Sequence, residues 1–422
     1  MNLLRGDFFT CDTPERFTAV SDGFLRFAGD GTIVSLTPDR PAGSEQDFFY
    51  DFRGKLVIPA FCDLHLHAAQ FPNAGLGYDC TFEEWLARYT YPAERAYARP
   101  AIYRDVNRRL LDTLWRMGVM SAVIMGSTAA EPIYDLLCLA AESGMQITAG
   151  KMNSDLGAYG PPAETTADSL RQTEQLIRDS ESLAPLVRYC ICPEFVPCCS
   201  DELMRGLGGL ARRFRVPIET HHAEGAGDVE LARRRFPAIT YAEVYRRFGL
   251  LGDTPAVMVH SIAATEDELA LFAETPTIVA HCPMALGDIP PDRPFYAAHF
   301  LKRGVRVGLG SDVGGGHTLN PMAQIVAAIQ YSNLVAKPGN RLSFLAAFWM
   351  ATAGGGAFFP RTGSLVPGHL FHGLVIDDSP LRAGSMHSSP LDRLQKFIYS
   401  SDPERIVARF CAGKPVRRPV AG

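Results

Sequence analysis

Residues 56–67 read LVIPAFCDLHLH, an apolar run that ends in two histidines, His65 and His67, with one residue between them. Successive side chains of an extended strand point to opposite faces, so residues i and i+2 share a face. Both imidazoles can therefore project to one side at the end of a predicted strand over 56–67. Two neutral imidazoles in this arrangement make half of a zinc or iron site. Taken alone, such a pair is more often chance or two interior histidines.

Seven further apolar runs follow this strand, and segments of helical period separate them. Between the first two runs, for example, Ile102, Val106, Leu110 and Leu114 recur every four residues before Gly118. The alternation predicts an α/β protein with a parallel (β/α)8, TIM-like barrel. A doubly wound open sheet is the competing fold, but no G-x-G-x-x-G follows the first strand. The later predicted strands are 119–125, 146–152, 187–195, 217–221, 256–260, 277–281 and 305–312.

The two ends of the chain have a different pattern, with short β-like pieces divided by Gly and Asp turns. These pieces lie at 3–9, 24–27 and 33–36 near the start and at 370–376 and 406–411 near the end. The simplest arrangement combines residues 1–56 and 363–422 into one small β-sandwich domain beside a barrel formed by residues 57–362.

Ligand-type side chains close the last four predicted barrel strands: His221, His260, His281 and Asp312. Active sites of such barrels lie at the carboxyl ends of the strands. Independent interior histidines are not expected to gather there. The pattern therefore predicts one divalent metal, zinc with iron as the alternative, bound by His65, His67, His221 and Asp312.

A proton carrier for hydrolysis lies close to these residues in the sequence. A divalent metal acidifies a water molecule toward a pKa of ~7. Glu224, three residues after His221, can take the proton of this water and pass it to a leaving amine. His260 would orient the nucleophile or polarise the reacting carbon. His222 should point away and pack. Lys151 ends the third strand, but the fourth holds no lysine, so one metal is favoured over a pair bridged by a modified lysine.

The composition indicates the class of partner. The 422 residues are 47% hydrophobic and 21% charged, which is typical of a soluble globular enzyme. The net charge of −5 and the lack of a long basic run favour a small-molecule partner over nucleic acid or a membrane. No apolar stretch is long enough to span a bilayer and no signal-peptide core opens the chain, which predicts a cytoplasmic protein. The ten cysteines are scattered through a large chain and are expected to be reduced. The spacing of Cys190, Cys192, Cys198 and Cys199 does not match a structural zinc site.

Several motifs together resemble the guanine deaminases of the amidohydrolase superfamily. The resemblance implies the barrel, the composite β domain, one zinc ion, a homodimer, and hydrolysis of guanine to xanthine and ammonia. It runs through nearly the whole chain and is weakest at the two ends. The motifs are PAFCDLHLHAAQF (59–71), EWL (84–86), TYPAE (90–94), GKM (150–152), CPEF (192–195), THHAE (220–224), VHS (259–261), AHCP (280–283) and GSDVGGG (310–316).

Carried over position by position, the resemblance implies roles for single residues. His65, His67, His221 and Asp312 match the metal positions. Glu224 matches the proton carrier, His260 the catalytic histidine, Gln70 a glutamine that contacts the purine, and Trp85 an aromatic residue of the pocket. Ordinary core packing is an equally good explanation of Trp85.

Two positions depart from the family pattern. Glu194 stands where these enzymes have an arginine that hydrogen-bonds the base. An arginine only donates hydrogen bonds and a carboxylate only accepts them, so this position should favour an N–H donor or a cation. Residues 284–286 are Met-Ala-Leu where the family has Asn-Ser-Asn.

The sequence as a whole predicts a metal-dependent hydrolytic deaminase of an amino-substituted nitrogen heterocycle, with guanine the leading substrate. A different purine or pterin, a ring amide, or displacement of another leaving group are the alternatives. A non-catalytic metal-binding homologue is a further alternative, which the presence of Glu224 argues against.

Overall fold

The computed structural model describes residues 1–157, 164–285 and 295–419. Its strands are β1 (Asn2–Thr13), β2 (Arg16–Phe27), β3 (Ile33–Thr37), β4 (Phe48–Pro59), β5 (Phe61–Asp63), β6 (Val119–Met125), β7 (Gln146–Gly150), β8 (Met152–Asn153), β9 (Val187–Tyr189), β10 (Cys192–Pro193), β11 (Ile218–His222), β12 (Ala256–His260), β13 (Thr277–His281), β14 (Arg306–Leu309), β15 (Gly373–Ile376), β16 (Ile406–Cys411) and β17 (Lys414–Pro415).

The helices lie mainly between the strands of the central part of the chain. They are α1 (Phe82–Trp85), α2 (Tyr91–Tyr97), α3 (Pro100–Arg116), α4 (Glu131–Ser143), α5 (Thr166–Ser180), α6 (Asp201–Phe214), α7 (Ala226–Arg235), α8 (Tyr241–Arg247), α9 (Glu266–Glu274), α10 (Ala297–Lys302), α11 (Pro321–Val335), α12 (Phe344–Trp349), α13 (Ser379–Arg382) and α14 (Pro390–Ser400). Single 3-10 turns occupy Phe71–Asn73, Val196–Cys198 and Pro403–Arg405, and π-helical turns occupy Leu86–Thr90 and Met350–Gly354.

Two four-stranded parallel sheets form the centre of the molecule. One has the order β5-β6-β7-β9 and the other β11-β12-β13-β14. Seven of the eight strands lie within stretches predicted from the sequence, and β11 runs one residue beyond its predicted stretch, to His222. Helix α3 shows how the sequence sets the bounds of an element. Pro100 starts the helix, and its face with Val106, Leu110 and Leu114 is buried. Gly118, just beyond its end, has a φ of 78°.

Hydrogen bonds join the two central sheets on both sides. A parallel bridge pairs Ile191 with Ile218 on one side. On the other side, the Leu64 amide donates to the Leu309 carbonyl at 2.9 Å, and the Asp312 amide donates to the His65 carbonyl at 2.8 Å. Because of these bonds, the segment after the first strand lies beside the segment after the last.

The first predicted strand is divided in two. Residues 56–59 belong to β4, which pairs with β1 and β15 in a separate sheet, whereas Phe61–Asp63 form β5 of the central sheet. Pro59 has no amide hydrogen for a sheet ladder, and the Ala60 amide donates to His372. The chain changes sheets here, and His65 and His67 lie just beyond β5 rather than inside a strand.

Both chain ends contribute strands to one sheet. Its order is β17-β16-β15-β4-β1-β2-β3, and only the β1–β4 pair is parallel. The described residues of the two ends form this single seven-stranded sheet rather than two separate ones. An aromatic core that includes Phe8, Phe27, Phe371 and Phe410 packs on it. A search of the described helices found none that is long and apolar enough to cross a membrane.

Candidate active site

Five predicted site residues come together where the central strands end. His221 lies in β11, His260 ends β12, and His65, His67 and Asp312 follow β5 and β14. We call these five residues the His–Asp cluster. The Nε2 atoms of His65 and His67 are 3.2 Å apart, and both face Oδ1 of Asp312, at 3.1 and 3.4 Å. Potential ligand atoms of His65, His221 and His260 also lie within 4.8 Å of one another.

Two hydrogen bonds orient the imidazoles of the cluster. Nδ1 of His65 lies 2.7 Å from Oε1 of the buried Glu219, and Nδ1 of His221 lies 2.8 Å from the backbone carbonyl of Glu194. A carboxylate and a carbonyl only accept hydrogen bonds, so each Nδ1 carries the proton. In the neutral imidazoles the Nε2 atoms then keep lone pairs that face the centre of the cluster, which is the tautomer that a metal ligand needs.

The electrostatics of the cluster fit a cation. Burial alone would lower the pKa of His65, but its hydrogen bonds to Asp312 and Glu219 raise that pKa to about 10. Burial alone would raise the pKa of Asp312, yet His65 and His67 hold it well below its usual range. The space between these groups therefore attracts positive charge. Three imidazole nitrogens and one carboxylate form a donor set that suits a zinc or iron ion.

A buried polar layer supports His65 from behind. Oε2 of Glu219 lies 3.4 Å from Sγ of Cys192, and the thiols of Cys190 and Cys192 are 3.3 Å apart. Burial raises the pKa of both thiols. Asp63 fixes the same histidine through its backbone, since Oδ1 accepts from the amides of His65, at 3.2 Å, and Ser311, at 2.9 Å. This carboxylate connects the ends of β5 and β14.

The backbone is strained at several positions around the cluster. Ala223, His260, Ser261 and Asp312 have φ angles of 46°, 64°, 55° and 47°. Residues with a side chain rarely adopt this left-handed region, which costs about 1–3 kcal/mol each and is common at active sites. The strain turns the chain sharply at the ends of β11, β12 and β14, where the functional side chains must face inward.

Glu224 lies beside the cluster and borders open space. Its Oε1 is 3.4 Å from Nε2 of His260, whose nitrogen is also 3.8 Å from Oδ2 of Asp312. The Glu224 side chain is 35% exposed, whereas that of His260 is 2% exposed. Burial lowers the pKa of His260 to about 4, so this imidazole is neutral near pH 7. Glu224 can thus exchange protons with a bound molecule while His260 stays fixed.

A cavity of about 550 Å³ opens onto the cluster. This size is typical of small-molecule sites. The predicted substrate residues Gln70, Trp85 and Glu194 line it, as do Met284 and Ala285; Leu286, the third residue of the apolar replacement, lies outside the described residues. Further side chains that line the cavity include Tyr78, Tyr91, Glu94, Met152 and Phe195.

Other residues singled out in the sequence lie away from this cavity. His222 contacts Ser261 at 3.1 Å and Glu268 at 3.3 Å, which agrees with a packing role. His281 stacks on Phe295, with 4.4 Å between ring centroids. Lys151 is fully buried in an ion pair with Glu164 at 2.6 Å. All ten cysteines are free thiols, as predicted.

The sequence reasoning passed over three carboxylates at this site: Asp63, Glu94 and Glu219. Two of them had a detectable signal. Glu219 precedes His221 by two residues in a strand, which places both on one face, and Asp63 precedes His65 by two. Glu94 closes the TYPAE motif, but nothing in its spacing connects it with the strand ends. Its place in the cavity depends on how the long connection from β5 to α3 folds back.

Comparison with known proteins gives concordant matches. The model of the amidohydrolase family matches residues 56–416. A guanine deaminase of Dictyostelium discoideum is 29% identical over 386 residues, which cover 89% of this chain and 85% of that protein. The guanine deaminase of Escherichia coli (strain K12) is 29% identical over 378 residues, with 84% and 82% covered.

A solved structure extends the match to the whole chain. The crystal structure of guanine deaminase from C. acetobutylicum, with guanine bound in its active site, superposes with a TM-score of 0.92. The two sequences are 31% identical, and the alignment covers 99% of this chain and 100% of the other. The chain is therefore a member of the amidohydrolase family, with the TIM-barrel type of α/β fold.

Proposed function

We propose that the protein is a metal-dependent hydrolase that removes an amino group from a nitrogen heterocycle, with guanine, converted to xanthine and ammonia, as the leading substrate. The observation that carries this proposal is the placement of Glu224 beside the His–Asp cluster at the mouth of the cavity. The similarity to guanine deaminases over nearly the whole chain supports the choice of substrate.

His65, His67, His221 and Asp312 are the residues that would hold one divalent metal, zinc or alternatively iron. When bound, such a metal would supply Lewis-acid chemistry that makes water a nucleophile at neutral pH. The hydrogen bonds of His65 and His221 fix their lone pairs before any ligand arrives. The cluster is therefore organised in advance for this task, at the expense of the backbone strain described above.

Glu224 carries out the proton transfers of the reaction. Its carboxylate removes a proton from the attacking water as oxygen bonds to the amino-bearing carbon. The same proton then passes to the leaving nitrogen, so that the C–N bond breaks with release of ammonia. His260, neutral and held within 3.8 Å of both Glu224 and Asp312, orients the nucleophile. Gln70, Trp85 and Glu194 would contact the ring.

We infer that the two central sheets are the halves of a closed (β/α)8 barrel formed by residues 57–362. Residues 1–56 and 363–422 would then form the small β domain beside it. The hydrogen bonds that join the two sheets on both sides support the closed barrel.

Ammonia release from guanine by the metal-loaded protein tests the function. We expect turnover in the wild type and a loss of about 10²–10⁴-fold in Glu224→Ala, with unchanged metal content. Glu202→Gln, on the exposed face of α6, is the matched control and should keep wild-type activity. Consumption of a ring substrate without ammonia would instead indicate a ring amidohydrolase. Undiminished turnover in Glu224→Ala would disprove the mechanism.

A further inference from the structure

Two carboxyl groups, those of Glu94 and Glu194, line the cavity that opens onto the His–Asp cluster. We call them the carboxyl pair. Their charges act on each other, since Glu194 adds to the effect of burial in raising the pKa of Glu94 to about 8. Among the described side chains that line the cavity, none is a lysine or arginine. No lysine or arginine of this lining therefore offsets the pair, and the charges that do act on it, Arg95 on Glu94 and His67 on Glu194, are outweighed by burial.

Glu94 is held in place by Gln70. The amide Nε2 of Gln70 donates to Oε1 of Glu94 at 3.1 Å, which fixes the other amide atom, Oε1, as an acceptor. Gln70 is only 5% exposed, and this Oε1 is buried without a hydrogen-bond partner among the described residues. A buried acceptor normally has a partner, so this atom also calls for a donor from a bound molecule.

Glu194 is held by neutral groups. Burial raises the pKa of Glu194, and hydrogen bonds from the thiol of Cys198 and the hydroxyl of Ser154 to its carboxyl offset only part of this rise. An ionised carboxylate has about four acceptor positions, so two such partners leave capacity for a ligand. Even with a proton on Glu94, most of the oxygen lone pairs that the carboxyl pair offers remain acceptors.

The chemistry of this lining disagrees with a carbonyl oxygen on the substrate. A carbonyl placed against the ionised carboxylate of Glu194 brings two acceptors together, and each loses its hydrogen bonds to water without replacement. An amino group or a ring N–H placed there would satisfy both sides. Hydrolysis of guanine at C2 puts its amino group at the His–Asp cluster, so the C6 carbonyl, its other exocyclic group, must project elsewhere in the cavity.

We propose that Glu94 and Glu194 make this site select heterocycles whose edge beside the two carboxyls carries N–H donors, which for a 2-amino purine means an amino group rather than a carbonyl at C6. This inference rests on the proposed deaminase function and ranks diamino rings above guanine among its substrates. Glu94 and Glu194 are specificity-determining residues in it, and Gln70 is a positioning residue.

Three purines test the proposal because they share the ring and the C2 amino group. Guanine has a carbonyl at C6, 2-aminopurine has hydrogen, and 2,6-diaminopurine has an amino group. With the metal-loaded wild type, we expect kcat/KM for loss of the C2 amino group of 2,6-diaminopurine to exceed that of guanine by about tenfold, and that of 2-aminopurine by a smaller factor. Chromatography of the products identifies which amino group is lost.

Variants then show whether the carboxyl pair causes the preference. Glu194→Gln and Glu94→Gln should each bring the ratio of 2,6-diaminopurine to guanine to within about threefold of one, and Glu194→Arg should reverse it. Glu202→Gln should leave the ratio unchanged. Metal content measured on every variant checks that the His–Asp cluster is intact. A wild-type preference for guanine, a ratio that these variants do not move, or loss of the C6 amino group would overturn the inference.

Measurements of ligand binding can distinguish a failure of this inference from a failure of the proposed deaminase function. In the metal-loaded Glu224→Ala variant, displacement of the fluorescent 2-aminopurine gives the affinity of the other two purines without turnover. Tighter binding of 2,6-diaminopurine supports the inference even if the wild type releases no ammonia, in which case only the proposed function fails. Tighter binding of guanine overturns the inference, and ammonia release from guanine by the wild type would then still support the deaminase.

Discussion

The His–Asp cluster and the carboxyl pair border the same cavity but are built in different ways. The cluster comes from the ends of four parallel strands, and each of its four histidines is within 3.4 Å of a carboxylate or carbonyl oxygen. The carboxyl pair comes from the long connection after β5 and from the segment after β10, and its hydrogen-bond partners are neutral. The difference indicates that the reaction is fixed by the strands, whereas substrate choice depends on the connections between them.

Removal of a metal ligand should have the largest effect. In His67→Ala we expect loss of bound metal and a fall in kcat/KM of about a thousandfold or more, because several kcal/mol of charge stabilisation disappear. Metal analysis and ammonia release measure both quantities. The matched control is His299→Ala, since this histidine lies exposed on α10. Retention of metal and activity in His67→Ala would show that the cluster is not the metal centre.

A change to Glu219, the hydrogen-bond partner of His65, should reduce metal affinity less than the removal of a ligand. Glu219→Gln keeps the size of the side chain but removes the charge that accepts the Nδ1 proton of His65. We expect metal affinity to fall about 10- to 100-fold, as is typical when the hydrogen-bond partner of a ligand is changed. Competition with a chelator measures this affinity, with Glu202→Gln as the comparison. Equal affinity in both variants would mean that the strand ends alone hold the site.

A substitution of Trp85, which lines the same cavity as the carboxyl pair, should have a moderate effect. If its ring packs against the substrate, Trp85→Ala should raise KM about three- to tenfold with a smaller effect on kcat, the loss expected from one aromatic contact. If the ring only packs within the protein, KM should stay the same and the melting temperature should fall. Steady-state kinetics and thermal unfolding on the same sample separate the two.

The smallest expected effect is a pH-dependent change in the thermal stability of the protein, caused by Glu94 of the carboxyl pair. The pKa of Glu94 is raised to about 8, mainly by burial and then by Glu194, so the folded protein holds a proton that the unfolded chain releases near pH 4.5. Its contribution to stability is therefore complete below pH 4.5 and is lost as the pH rises toward 8. Glu94→Gln, which cannot ionise, should melt a few degrees above the wild type at pH 8 and equally at pH 5. A difference that does not change with pH would contradict this account.

The coming together of the His–Asp cluster could be predicted from the sequence because its residues follow regular structure. His221, His260 and Asp312 each follow an apolar run of strand length, and parallel strands bring their carboxyl ends to one edge. The same periodicity predicted the eight central strands, but it did not show that Pro59 divides the first run between two sheets. That division depends on the hydrogen bond from Ala60 to His372, which is distant in the sequence.

The substrate side could be predicted only in part. Glu194 was identified because it breaks a motif, and Gln70 and Trp85 because they match one. Glu94 was missed because its position depends on the fold of residues 64–99, where short helices follow one another without a single periodic pattern. Sequence spacing carries no information on how such a connection returns to the cavity.

The backbone and the side chain of Glu194 have separate roles. Its backbone carbonyl accepts the hydrogen bond from His221, while its side chain lines the cavity. Every amino acid provides that carbonyl, so a mutation at this position leaves the orientation of the histidine in place. The side chain at this position can therefore change, and with it the chemistry of the cavity wall, while the support of His221 is inherited unaltered.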